Sequence, residues 1–158
     1  MKIKTGIGQD SHRFENEKGK PLMLAGIKFD YPFGLEGNSD ADVVFHSITN
    51  SISSVTGKNI LGEVADQLVN DGQKDSSEYL KLALNDLDGW KINHIAIAIE
   101  CLKPKLSNHL EAMKQSISNI CKINTSDIGI TATTGENLTA FGKGKGIQAI
   151  TIITVSKL

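Results

Sequence analysis

Asp10, Ser11 and His12 end an alternating, strand-like run, Ile3-Lys4-Thr5-Gly6-Ile7-Gly8, and His46 follows within a stretch of helical periodicity. Side chains on a strand repeat every two residues, so Asp10 and His12 leave one face side by side. One carboxylate and two imidazoles can hold a tetrahedral Zn²⁺ and leave a coordination position open, as catalytic zinc sites require. A polar turn and an ordinary helical histidine would give the same letters, so the metal reading depends on the surrounding sequence. Asp42 sits one helical turn before His46 on the same face. Either it orients the second nitrogen of that imidazole from outside the ligand shell, or it is a helix N-terminal carboxylate favoured by the macrodipole.

Three other stretches offer phosphate chemistry. Asn38-Ser39-Asp40 precedes the His46 helix, where free amides suit a phosphate and where capping by Ser39 or Asp40 is the plain alternative. Thr131-Ala132-Thr133-Thr134-Gly135-Glu136 ends a strand, and its hydroxyls and carboxylate can contact a pyrophosphate and its divalent ion. Gly142-Lys143-Gly144-Lys145-Gly146 exposes amides beside two lysines, but it matches neither the P-loop nor the dinucleotide fingerprint. No G-x-S-x-G nucleophile motif occurs. Cys101 and Cys121, the only cysteines, lack an electropositive setting readable from the sequence.

The elements that must position these residues are legible from periodicity. A first strand spans 2–9, and a hairpin around Ala25-Gly26 covers 21–30. Val43, Val44, Ile48, Ile52 and Val55 mark a helix from Asp40 to Thr56, closed by Gly57. A short helix is expected at 62–69. Asp75-Ser76-Ser77-Glu78 reads as a capping box opening a helix that ends near Asp88-Gly89. Ile92 to Glu100 is a strand with its heavier apolar face at odd positions. Pro104 introduces a helix from Ser107 to Lys122 with Leu110, Met113, Ile117, Ile120 and Cys121 facing inward. Strands at 127–134 and 146–156 follow. The expected fold is α+β, a two-layer α/β sandwich: a four-stranded mixed sheet with helices on one face plus a small hairpin.

The chain has 158 residues, enough for one domain with a real core, and we expect residues 1–158 to form a single catalytic domain. Its 17 basic and 18 acidic residues are well mixed, so no basic stripe supports nucleic-acid binding and no amphipathic helix supports a membrane surface. No secretory signal pattern or spanning apolar run is evident, and two cysteines make no disulfide framework, so a cytoplasmic protein is expected. From the residues alone two classes survive. One is a metal-dependent enzyme acting on a phosphate or diphosphate; the other is a small metal-binding or interaction domain whose His and Asp residues are structural. The open coordination position and the phosphate-contact stretches favour the enzyme.

Four blocks taken together carry a resemblance. Gly8-Gln9-Asp10-Ser11-His12-Arg13-Phe14, Gly37-Asn38-Ser39-Asp40-Ala41-Asp42-Val43-Val44-Phe45-His46, Ala132-Thr133-Thr134-Gly135-Glu136 and Phe141-Gly142-Lys143-Gly144-Lys145-Gly146-Ile147 resemble, in order and spacing, the 2-C-methyl-D-erythritol 2,4-cyclodiphosphate synthase family. The resemblance implies cyclisation of 4-diphosphocytidyl-2-C-methyl-D-erythritol 2-phosphate with release of CMP, in non-mevalonate isoprenoid biosynthesis. It implies Zn²⁺ on Asp10, His12 and His46, and Mg²⁺ or Mn²⁺ near Glu136 between the α- and β-phosphates. It places Thr134 in support of the transition state, Ser39 and Lys143 on phosphate, and cytidine against Cys101, Leu102, Lys103, Pro104, Lys105 and Leu106 with Ala132, Thr133 and Thr134. It also implies a homotrimer with active sites between subunits. The chain departs from the family pattern in four places. Asn38 stands where many members have His, so it can bind phosphate but carries no proton. Gly135 replaces a usual Thr and Asn50 a usual Asp. The common Asp-Ile-Gly segment has only Leu61 to Asp66 as its nearest counterpart.

Overall fold

In the computed structural model, which describes residues 1–158, the strands are β1 (Lys2–Arg13), β2 (Leu22–Leu24), β3 (Ile27–Phe29), β4 (Lys91–Glu100), β5 (Ile128–Thr133) and β6 (Gly146–Lys157). The helices are α1 (Val43–Thr56), α2 (Glu63–Asn70), α3 (Ser76–Asn85) and α4 (Leu110–Cys121). The main sheet runs β1-β6-β4-β5, antiparallel except for the β4/β5 pair, which α4 connects as a parallel crossover. The α+β expectation is met: a four-stranded mixed sheet with helices packed on it and a separate β2/β3 hairpin. Ala25 and Gly26 turn that hairpin with φ of 53° and 72°, the doubly left-handed turn that two-residue hairpin loops prefer.

Period-two patterning decides which face of the sheet is covered. Ile95, Ile97 and Ile99 of β4 and Ile147, Ala149, Thr151, Ile153 and Val155 of β6 are buried against the helices. A register shift between Ile92 and His94 makes Asn93 a bulge, so Ile92 lies opposite Val155 three residues before Ile95 does the same duty opposite Ile153. On the other face Ile3 and Ile7 are each 61% exposed and Ile152 is 43% exposed.

The helix layer is centred on α1, which is buried along most of its length. It reaches the sheet through glycines: a Cβ at Gly8 would lie 2.2 Å from the Ser47 carbonyl oxygen and 2.3 Å from the Ser51 nitrogen. At Gly6 a Cβ would lie 2.2 Å from the Ser51 carbonyl oxygen. Small residues face glycines here, so helix backbone rests directly on strand backbone. Ser47 Oγ then bridges to Thr151 Oγ1 on β6 at 2.6 Å.

Boundaries shift where local hydrogen bonding overrides periodicity. β1 runs to Arg13 because Gly146 to Ala149 continue to pair with it. The α1 cap is Asp42, with Ser39 and Asp40 forming consecutive turns before it, so the expected capping by those two residues is corrected. Gly57 closes α1 in the left-handed region as expected. Asp75 caps α3 through the Ser77 amide, but Glu78 pairs with Lys81 instead of completing a capping box. The expected helix from Ser107 begins as a 3-10 turn and becomes α4 at Leu110, while α3 stops at Asn85, short of Gly89.

Because the Gly8 contact is backbone on backbone, neither side can yield by changing rotamer. Gly8→Ala is expected to cost at least ~2 kcal/mol of stability by overpacking, read as a lower urea midpoint; an unchanged midpoint would show that α1 does not rest on β1 in this way.

Candidate functional site

The period of β1 carries Asp10 and His12 along the face that Gly6 and Gly8 present to α1, and α1 delivers His46 one residue before the Ser47–Gly8 contact. Asp10, His12 and His46 converge, with one potential ligand atom from each lying within 4.8 Å of the others. Asp10 Oδ2 is 3.0 Å from His46 Nδ1 and 3.1 Å from His12 Nε2. Tetrahedral bonds of about 2.1 Å would set such atoms roughly 3.4 Å apart, so small side-chain adjustments fit this donor set to a zinc-sized ion. Burial alone would raise the Asp10 carboxyl; hydrogen bonds and charge from His12 and His46 outweigh it and hold the pKa below its ordinary value.

The far side of the His46 ring is also occupied. Its Nε2 lies 2.7 Å from Ser76 Oγ at the start of α3, and Ser76 in turn bonds to Asp40. Of the two roles open to Asp42, orienting that nitrogen is not the one it takes. Its carboxylate accepts from the amides of Val44 and Phe45 as the α1 cap and from Ala25 (2.9 Å) and Gly26 (2.7 Å) of the hairpin turn. The helix-terminal alternative is therefore the correct one, with an added clamp on β2 and β3. Burial pushes the Asp42 pKa up to about 6, against the pull of the Gly26, Phe45 and Ala25 amides.

Asn38 is exposed in the loop beside the metal group, directly after Gly37, whose Cβ position is 3.6 Å from His12 Cε1. Ser39 Oγ accepts from the Ala41 amide. Ser11, His12, Arg13, Glu36, Phe141 and Lys145 line a cleft of about 320 Å³ next to His12. The glycine-lysine turn closes over β1 there, with the Phe14 amide donating to the Lys145 carbonyl. Lys143 is exposed on the same turn.

Residues 101–106 and 132–134 meet at the carboxyl ends of the parallel strands β4 and β5, where the Cys101 amide donates to the Thr133 carbonyl at 2.9 Å. Burial pushes both cysteine thiols up to about 12, which removes them as nucleophiles. Gly135 has φ of 80°, and a Cβ there would lie 2.2 Å from Glu100 Oε1 and 2.8 Å from the Gly142 Cα. Glu100 accepts from Thr139 Oγ1, which itself accepts from the Gly142 amide, so Glu100 braces the loop that presents Glu136. This explains a glycine where threonine was the usual residue. Asn50 is likewise explained, because its amide donates to the Gln9 carbonyl of β1 at 3.0 Å, which aspartate cannot do.

These groups do not all meet within one chain. Asp10, Ala149, Ile99 and Ala132 lie on one row across the sheet, so the Asp10–His12–His46 group and Ala132 stand on opposite edge strands, three strand spacings or about 14 Å apart. Ser76 and Glu100 were invisible as site residues. Ser76 reads as part of a helix start, and its contact with His46 spans 30 positions.

A profile described as the YgbB family matches residues 3–156. The 2-C-methyl-D-erythritol 2,4-cyclodiphosphate synthase of Chlamydia caviae is 49% identical over 157 residues, covering 98% of this chain and 89% of that protein. The same-named protein of Chlamydia felis is 49% identical over 155 residues, covering 96% and 88%. Among solved structures, the bifunctional IspDF of Campylobacter jejuni superposes with a TM-score of 0.89 at 29% identity, and the chain spans 99% of itself and 43% of that longer protein. Plasmodium falciparum IspF in complex with CDP gives a TM-score of 0.82 at 26% identity, covering 98% and 96%. No helix of this chain is long and apolar enough to cross a membrane.

The raised pKa of Asp42 fixes a sign for stability against pH. Its contribution is fully present below the ordinary unfolded value of about 4 and is lost as pH rises through about 6. The stability difference between the parent and Asp42→Asn, measured by urea unfolding with chelator present, should therefore move against the parent between pH 4 and 7. A constant difference across that range contradicts the raised pKa.

Proposed function

The chain belongs to the YgbB family, with 2-C-methyl-D-erythritol 2,4-cyclodiphosphate synthases among its relatives, and on that footing we propose that it carries out the same cyclisation. The substrate is 4-diphosphocytidyl-2-C-methyl-D-erythritol 2-phosphate, and residues 1–158 act as one catalytic domain in the cytoplasm. An oxygen of the 2-phosphate attacks the β-phosphorus in line. The new P–O bond closes the ring, the bond from the β-phosphorus to the bridging oxygen breaks, and CMP leaves with its electrons. This makes the protein a phosphorus–oxygen lyase of non-mevalonate isoprenoid synthesis. The observation that carries the reading is the convergence of Asp10, His12 and His46 at a strand end beside an open cleft.

On this reading Asp10, His12 and His46 hold Zn²⁺, and Glu136 holds Mg²⁺ or Mn²⁺. Together these ions supply Lewis-acid polarisation and charge neutralisation to the phosphates. Ser39 and Lys143 donate to phosphate oxygens, and Asn38 does so through its amide N–H but can neither transfer a proton nor carry charge. Thr134 donates to the phosphoryl group as it passes through the transition state. Cys101 to Leu106, with Ala132, Thr133 and Thr134, receive the cytidine; a Plasmodium relative solved with CDP supports a cytidine ligand.

Two features support a homotrimer with shared sites. The Asp10–His12–His46 group lies on edge strand β1 while the Ala132–Glu136 stretch leaves the opposite edge strand β5, and Ile3, Ile7 and Ile152 are exposed apolar residues on the face away from the helices. In such an assembly one copy brings Asp10, His12 and His46 while a neighbour brings the cytidine pocket.

Incubation with the cytidyl substrate and Mg²⁺, followed by ³¹P NMR, tests the reading. A cyclic diphosphate with CMP is the expected product; a linear phosphate would identify a metal-dependent hydrolase instead. His46→Ala should lower CMP release on the order of 10²-fold or more, comparable to loss of a main electrostatic stabiliser. Glu136→Gln should depress turnover and change the response to Mg²⁺ or Mn²⁺, and an unaltered metal response would remove Glu136 from the site.

A further inference from the structure

The His46 ring is held on both sides by groups from different elements. Nδ1 faces Asp10 on β1, and Nε2 faces Ser76 Oγ at the first residue of α3, 2.7 Å away. Ser76 is fully buried and His46 is 7% exposed, so water does not compete for this contact. The Ser76 hydroxyl also bonds to Asp40 Oδ1, while the Ser76 amide donates to Asp40 Oδ2 at 3.1 Å. Asp40 Oδ1 is further fixed by the Asp42 amide at 3.1 Å, and the Asp40 amide donates to the Lys74 carbonyl. Asp40 is thus tied to the start of α1 and to the start of α3 at once.

Counting hydrogens gives this arrangement a direction. A metal on Nδ1 takes that nitrogen's lone pair, so the ring proton must sit on Nε2, which then donates to Ser76 Oγ. The Ser76 hydroxyl has one hydrogen, and with its oxygen accepting from His46 that hydrogen goes to Asp40. Asp40 accepts every bond its carboxylate makes here. The reverse polarity would require Nε2 to accept, placing the ring proton on the nitrogen that faces the metal position.

We propose that Ser76 and Asp40 form a positioning relay, carboxylate to hydroxyl to imidazole, that fixes the tautomer and ring orientation of His46 for metal binding. It serves as the outer-shell carboxylate does in a direct carboxylate–histidine–metal triad, with a serine hydroxyl inserted between the two. The inference rests on the metal-binding part of the proposed function. It requires no catalytic step from Ser76 or Asp40, because neither is argued to touch substrate.

Metal binding to the whole chain, measured apart from turnover, provides the test. Zn²⁺ dissociation constants come from competition with a chromophoric chelator, and Co²⁺ substitution reports ligand geometry through its visible absorption. Ser76→Ala should weaken Zn²⁺ binding about 10- to 100-fold, the range seen when outer-shell partners are removed, and should alter the Co²⁺ spectrum. Ser76→Thr, which keeps the hydroxyl, should return affinity and spectrum towards the parent. Asp40→Asn retains an acceptor for the hydroxyl but not its charge, so it should give a smaller loss of the same kind. This variant carries the test if Ser76→Ala fails to fold. Parent-like affinity and spectrum in both Ser76→Ala and Asp40→Asn overturn the relay while leaving the metal site intact. A parent protein that binds neither Zn²⁺ nor Co²⁺ overturns the metal reading itself.

Discussion

Backbone contact between α1 and β1 is the constraint on which the rest of the structure depends. Gly6 and Gly8 leave no side chain between strand and helix, so the carbonyls of Ser47 and Ser51 occupy the space where Cβ atoms would be. A contact of this kind fixes both the separation and the sliding register of the two elements, because no rotamer can absorb an error. The metal group follows from it. His46 precedes Ser47 by one residue, and Asp10 follows Gly8 by two on the same strand face, so setting Ser47 against Gly8 brings the imidazole to the carboxylate. His12 joins them one further strand period along.

Two carboxylates flank this contact, and the protein treats them in opposite ways. Asp10 is half-buried, and the two imidazoles around it overcome desolvation and keep it ionised. Asp42 is fully buried and has only backbone amides as partners, so desolvation prevails and its pKa rises to about 6. The costly burial of Asp42 has a structural return: one side chain caps α1 and holds the β2/β3 turn. The hairpin is short, with three residues in each strand, yet it buries Leu22, Leu24 and Phe29 in the core. The Asp42 clamp adds to that burial and holds a two-stranded hairpin that would be marginal alone.

How much of this was legible in the sequence depends on the range of the interaction. Strand alternation at 95–99, helical spacing at 43–55 and the Ala25-Gly26 turn are local patterns, and the structure follows them. The metal-ligand group was legible because Asp10 and His12 share a strand face and because the neighbouring blocks resemble a known family. The capping role of Asp42 was one of two readings its position allowed, but its clamp on the hairpin was not legible, because helical spacing says nothing of the amides that arrive from residues 25 and 26. Ser76 was read only as part of a capping box, since the contact that matters comes from a helix 30 residues earlier. The same holds for Gly135, whose missing side chain is explained by Glu100 on the adjacent strand. Local propensity finds elements; it does not find which side chain another element will meet.

The sheet order bears most directly on chemistry. With β1 and β5 at opposite edges, the Asp10–His12–His46 group and the end of β5 at Ala132 and Thr133 stand about 14 Å apart across β6 and β4. No side-chain rearrangement spans that gap without breaking pairing that runs the length of β1 and β6. A reaction that needs both groups on one diphosphate, as the proposed cyclisation does, therefore needs the β1 edge of one copy beside the β5 edge of another. The sheet face away from the helices is the surface free to set that geometry. Its Ile7–Ile152 pair is apolar and exposed, on the side of the strands away from α1. In the homotrimer proposed above, burying that face and completing the site would be a single event, which would couple assembly to catalytic competence.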